Sequence, residues 1–391
     1  MIVLDIVFCL AIIIIGFQFK NKFTLFNAYD KNLLNKLFIF HLIIGIGYHF
    51  YVSNSFSDSR GYWFLTNYNS YSFSDILQLR GTEIKTATAF LLLLNYFPAK
   101  VLNLSFFTGG LSYTILGYMG FVYFYAIIKE NIPKLDWLRK IQIISFFPLL
   151  LFLPNLHFWS SGVSKDSILF FGISLFIYSL KSIKKRFLGL SIAILLSIFI
   201  RPHITLFLLV AFGISFATNR RFHVIKKIAI FIIFLGGMVA MYGYVMQFIQ
   251  LESLDAETIT NYSDTRASSL SRSRTESSVD TSSYSFPLKV FTFLYRPFFI
   301  DGLGFLGLVA SFENLLLLSF TVKIILNKPF KAFKQAHFLL KGIFIFFLLG
   351  SFSFAIILGN LGIMLRQKTP FIIMLIIFGY WVLVYNKSRK V

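Results

Sequence analysis

Eleven apolar runs, at about 2–17, 37–52, 109–128, 141–154, 167–180, 187–200, 204–218, 225–247, 303–322, 337–358 and 369–385, constrain this chain more than any other feature. Many approach the roughly 20 residues that an α-helix needs to cross a hydrocarbon core, and the shorter ones imply tilted or re-entrant helices. Composition agrees, since 57% of the 391 residues are hydrophobic and only 14% are charged. A soluble domain cannot enclose so much apolar surface, because its surface-to-volume ratio caps the buried fraction. The expected fold class is all-α, a polytopic transmembrane helix bundle with about 11 spans. Residues 1–391 read as a single membrane domain, with no internal repeat and no segment of soluble-domain size.

The first run, from Met1 to Phe17, lacks a basic leading region and a small-residue cleavage site, so it reads as an anchor and not as a removed signal peptide. Cys9 is the only cysteine, which excludes a disulfide framework and a thiol metal cluster.

The formal charge of +21 invites a nucleic-acid reading, but its distribution argues against one. Segments 18–36, 129–140, 181–186, 219–227 and 323–336 each carry four Lys or Arg and the tail 386–391 carries three, so 23 of the 37 fall there against three acids. Basic residues concentrated in alternate loops mark the cytoplasmic side, with anionic lipid contact a secondary effect. This places the N-terminus outside and the C-terminus in the cytoplasm. An odd number of crossings follows, so the stretch 86–107 is expected to dip into the membrane or lie at its surface; Asn95, Pro98 and Lys100 interrupt it.

One segment differs in composition. Residues 252–286 are rich in Ser, Thr and charges of both signs, which reads as a flexible extracytoplasmic loop, either a lid over a site or a plain connector.

Polar residues gather on the same expected side. The loop SFSDSRGYWFLTNY sets Asp58 and Arg60 beside Tyr62 and Trp63. An acid flanked by aromatic faces suits a sugar, and equally an interfacial aromatic belt with a solvated acid. The segment LPNLHFWSSGVSKDSILFF carries His157, Trp159, Lys165 and Asp166, with Ser164 or Asp166 as the cap of a helix whose free N–H groups can hold an anion. A simple capped hairpin is the alternative. In IFIRPHITLF, Arg201 and His203 flank a helix-breaking Pro202; FTFLYRPFFIDGLG repeats the pattern with Arg296-Pro297 and Asp301. Glu313 is the only acid in its run and is expected to pair with one of the arginines. GNLGIMLRQKTPF reads as a link carrying Arg366 and Lys368 before Pro370.

Guanidinium groups bind phosphate oxygens in bidentate fashion and stay charged at any relevant pH, so Arg201, Arg296 and Arg366, supported by Lys165 and His203, form a candidate diphosphate site. Asp58 and His157 are the candidate general bases, with Arg60, Trp159, Asp166 and Glu313 in support. No HExxH, DxD or clustered His/Cys set marks a metal, no phosphate-binding glycine loop marks a nucleotide, and no cofactor is expected.

At SDSRGYW, FWSSGVSKDS, RPH, FLYRPFF…SFEN and GNLGIMLRQK the chain resembles bacterial polysaccharide polymerase-like membrane proteins of the Wzy/EpsG type, and more distantly the GT-C glycosyltransferases. The resemblance implies a metal-independent enzyme that joins oligosaccharide repeat units carried on undecaprenyl diphosphate at the outer face of the bacterial cytoplasmic membrane, for exopolysaccharide, capsule or O-antigen. It implies that Arg201, Arg296 and Arg366 engage the diphosphate and, by the GT-C likeness, that Asp58 is the base. The expected partners are the lipid-linked oligosaccharide, membrane lipids and proteins of a polysaccharide export system. The chain lacks the soluble C-terminal domain and the DxD or ExD pair of many GT-C enzymes. A GT-C transferase using a polyprenyl-phosphate sugar, a lipid-oligosaccharide flippase and a non-catalytic assembly protein remain as alternatives.

Overall fold

The computed structural model describes residues 2–55, 57–68, 72–78, 86–133, 135, 138, 146–219, 223–249, 265, 277–281, 283–302 and 304–388. Among them the regular structure is helical, with one isolated antiparallel bridge between Ser278 and Asn360. Six helices among the described residues are long and apolar enough to cross a membrane. The helices fall into two compact units, Met1–Glu130 with Leu156–Arg201, and Asn131–Asn155 with Pro202–Val391.

The first unit is built from α1 (Ile2–Phe19), α2 (Ala28–Ser53), α3 (Asp58–Tyr68), α4 (Phe73–Gln78), α5 (Thr86–Asn95) and α6 (Phe106–Asn131). α1 is apolar around its whole circumference except for Asp5 and Gln18, and it leaves most of that surface outside the protein. The start of α2 is fixed by a capping box, in which Asn27 Oδ1 accepts from the Asp30 N–H and Asp30 Oδ2 accepts from the Asn27 N–H, both at 3.0 Å. Asp30 is fully buried, so it needs further partners: Tyr125 donates to it at 2.6 Å and Lys129 lies at 3.1 Å. These contacts tie the beginning of α2 to the end of α6.

At 26 residues, about 39 Å at 1.5 Å per residue, α6 spans the unit and is mostly buried. Gly117 lets the Ser160 carbonyl close on it, and a Cβ there would come within 2.0 Å of that oxygen. The stretch 86–107 forms α5, a π-helical turn at Tyr96–Val101 and the first residues of α6. Asn95 ends α5 by using its side chain to accept from Tyr113 at 2.6 Å.

After α6 come α7 (Phe146–Leu149), which belongs to the second unit, and α8 (Pro154–Trp159), within which the chain passes into the first. The run expected at 141–154 is therefore only short turns where it is described, and residues 139–145 lie outside the described ones. Next come α9 (Lys165–Leu180) and α10 (Phe187–Ile200), which pack on each other in the first unit. Arg201 then leaves helical geometry at φ −150° and ψ 87°, and Pro202 opens the next helix. Proline is favoured there because the missing N–H has no helical partner to lose.

The second unit contains α11 (Pro202–Ala217), α12 (Val224–Ile249), α13 (Phe286–Tyr295), α14 (Gly304–Leu326), α15 (Pro329–Gln335), α16 (Phe338–Ile357) and α17 (Leu361–Ser388). The short apolar helix α13 is absent from the sequence expectation, which placed no run between 247 and 303. Its central helix is α17, packed by α13, α14, α15 and α16. The expected link at 359–371 is corrected: only Gly359 and Asn360 are non-helical, and α17 runs on through Pro370. Asn360 Oδ1 caps α17 by accepting from the Ile363 N–H at 3.1 Å, and the Ser277 carbonyl accepts from the Leu361 N–H at 2.8 Å. Of the segment expected as a loop, residues 252–264, 266–276 and 282 lie outside the described ones.

Replacing Gly117 with Leu is expected to destabilise the first unit by about 1–3 kcal/mol, lowering the melting temperature of the detergent-solubilised protein. Gly47→Ala meets open space and is expected to leave it unchanged or raise it.

Candidate functional site

The N-terminal turn of α9 gathers the first group of candidates. Ser164 is its cap, accepting from the Ser167 N–H at 3.1 Å, and this frees Asp166 for another task. Asp166 accepts from Arg201 Nη2 at 2.6 Å, and both residues are about 8% exposed. Lys165 donates to Thr88 Oγ1 at 2.9 Å and holds its ammonium 5.0 Å from the centre of the Tyr62 ring. Two cations, Lys165 and Arg201, thus stand at a helix N-terminus, where the backbone already favours anions. The proline break supplies the geometry: because α10 stops at Ile200, Arg201 can turn back toward α9.

Asp58 opens α3 and is exposed, with Tyr62 one turn later on the same helical face. Lys165 over Tyr62 thus brings the start of α9 to the face that carries Asp58. The other aromatic of this motif faces inward. Trp63 is 1% exposed and lies in van der Waals contact with Gly109 and near Phe106, so it serves the core and is not open to a ligand. Arg60 donates to the Ser53 carbonyl at 3.0 Å and stacks on Phe64.

His157 is fully enclosed. Its ring stacks on Phe121 at 4.2 Å with 7° between planes, and its Nδ1 lies 2.9 Å from Nδ1 of His41. His41 Nε2 is 2.9 Å from the Thr114 carbonyl, which can only accept. A neutral His41 therefore carries its proton on Nε2, and His157 donates from Nδ1. Trp159 packs edge-on against Phe158 and Tyr48.

The second unit holds the other candidates. Arg296 ends α13, and its guanidinium engages Asp301 through Nε and Nη2 and the Tyr284 hydroxyl through Nη1 at 3.3 Å. Asp301 also accepts from the Phe298 N–H at 2.7 Å, so one carboxylate holds both the side chain and the turn. Burial works to raise the Asp301 pKa, but the guanidinium and the Phe298 N–H together hold it below the usual carboxylate range.

Glu313 does not pair with an arginine as expected. Asn155 satisfies its carboxylate from the backbone N–H at 2.8 Å and from Nδ2 at 2.5 Å, and the cation that acts on it electrostatically is Lys368. The cause is register: Lys368 lies on the buried face of α17, whereas Arg366, two residues earlier, is half-buried on another. His203 lies on the first turn of α11 against Phe207 and Phe354. Among the described residues no three of His, Cys, Asp and Glu are grouped to hold a metal ion.

Sequence reasoning missed His41, Thr88, Tyr284, Asn155 and Asn314. A lone polar residue inside an apolar run was the available signal for His41 and Asn314; Thr88 and Tyr284 carried none, since such residues are common at any surface.

Asp166→Ala is expected to leave Arg201 buried without its carboxylate and to cost about 3–5 kcal/mol, read as a lower melting temperature. The double change Asp166→Leu/Arg201→Met is expected to recover most of that loss. No protein-family model, curated protein or solved structure matches this chain.

Proposed function

We propose that this protein is a polymerase of undecaprenyl-diphosphate-linked oligosaccharide repeat units in the bacterial cytoplasmic membrane, acting at its external face. The reading takes the N-terminus as external, the C-terminus as cytoplasmic, and about 11 crossings from the charge pattern of the loops. One observation carries it: each of the two Arg-Pro breaks has its guanidinium aimed by a carboxylate, Arg201 by Asp166 and Arg296 by Asp301. Arginines held in this way at helix ends suit a ligand that joins an anionic head to a lipid tail.

In this reaction an acceptor hydroxyl attacks the anomeric carbon of a lipid-linked sugar. A new carbon–oxygen bond forms to the acceptor, the bond to the diphosphate breaks, and undecaprenyl diphosphate leaves with the bonding electrons. In the first unit Arg201 with Lys165, and in the second Arg296 and Arg366 with His203, are the groups proposed to stabilise charge on a departing diphosphate by electrostatics already in place. Asp58 takes the acceptor proton. Its position on the face of α3 met by Lys165 supports that role, whereas the ring of His157 is enclosed against Phe121 and His41.

Complementation of a strain lacking the gene tests this. Arg201→Ala, Arg296→Ala and Arg366→Ala, each at normal membrane level, are expected to leave single repeat units and no long polymer on a gel of surface polysaccharide. Unchanged polymer length in all three would sink the reading. Asp58→Asn is expected to slow polymerisation by about 10²–10⁴-fold, measured as repeat units joined per unit time in membranes.

A further inference from the structure

Lys368 is a buried cation that the proposed reaction does not use. It sits in the apolar helix α17 at 3% exposure, and an ammonium is expensive there unless every proton finds an acceptor. All three do: Nζ donates to the Leu294 carbonyl at 2.9 Å, the Arg296 carbonyl at 3.2 Å and Asn314 Oδ1 at 2.7 Å. Asn314 is then obliged to point its amide the other way, and Nδ2 donates to the Pro297 carbonyl at 2.8 Å. Glu313, one residue before Asn314 and held by Asn155, supplies the compensating negative charge.

The three backbone carbonyls belong to Leu294, Arg296 and Pro297, the end of α13 and the turn that follows. Terminal carbonyls of a helix have no partner within it, so this end would fray without outside donors. Asp301 and Tyr284 fix the far end of the Arg296 side chain, and Lys368 and Asn314 fix its backbone.

We infer that Lys368, acting with Asn314, is a positioning residue that holds the Arg296 turn so that its guanidinium is preorganised for a diphosphate head group. The inference rests on the proposed role of Arg296 and adds what makes that role depend on two residues of neighbouring helices. A guanidinium on a loose turn pays an ordering cost at every binding event, and the clamp removes that cost beforehand.

The test uses the full-length protein in lipid nanodiscs, with undecaprenyl diphosphate as the probe. Amide exchange at residues 296–301 is expected to quicken in Lys368→Met while the protein keeps its fold. Affinity for the probe is expected to fall about tenfold in Lys368→Met and to fall no further when the same change is made in an Arg296→Ala background, since coupled residues are not additive. Lys368→Met/Glu313→Gln avoids an uncompensated carboxylate, and Asn314→Ala removes the Pro297 anchor together with one acceptor of the Lys368 ammonium; either serves if Lys368→Met does not fold. Unchanged exchange at 296–301, or an equal loss of affinity in both backgrounds, would overturn the positioning role. Faster exchange with no effect of Arg296→Ala on affinity would leave the clamp standing and overturn the diphosphate reading instead.

Discussion

An ionised or hydrogen-bonding group inside an apolar helix has to find its partner within the protein, because the surroundings offer none. That constraint organises each unit. Asp30 draws Tyr125 and Lys129 to it, Asp166 draws Arg201, Asp301 draws Arg296, and Lys368 draws two carbonyls and an amide. The Asp30, Asp166 and Lys368 sets join helices or turns that are distant in sequence, so polar satisfaction fixes which faces meet, while the Asp301–Arg296 pair closes a local turn. Apolar packing alone would leave those faces nearly interchangeable, since Leu, Ile and Phe surround every helix.

Close approach then follows from size. α6 and α17 are the most enclosed of the long helices, and both meet neighbours through small residues. Gly117 admits a carbonyl from the segment after α8, and Gly350 of α16 admits the Phe371 ring of α17, where a Cβ would lie 1.9 Å from a ring carbon. Phenylalanine, at 51 residues, supplies bulk elsewhere, and its rings fill the space between helices in edge and tilted contacts.

The candidate site uses the same device for another end. A helix break at Arg-Pro frees a charged residue from the regular lattice, and a nearby carboxylate then sets where its guanidinium points. In the proposed reaction this gives arginines that are already oriented before a diphosphate arrives. The carboxylates also limit the cost of keeping those charges partly buried between turnovers.

The sequence by itself determined the helical class and most of the long apolar helices. Apolar runs, Ser164 and the proline at 202 act over a few residues, and local interactions need no tertiary knowledge, whereas α13 and the start of α17 were not legible in it. It also singled out the charged residues that stand within or beside apolar runs, because their desolvation cost is visible in one dimension. The tertiary structure alone decided their partners. Glu313 meets Asn155 and Lys368 instead of an arginine, Trp63 turns into the core while Tyr62 meets Lys165, His157 closes on His41, and α17 runs through Pro370. Partner choice depends on helix rotation and register, and a single residue of rotation, about 100°, moves a side chain from one neighbour to another. No pattern along the chain encodes that angle; the packing of the surrounding helices sets it.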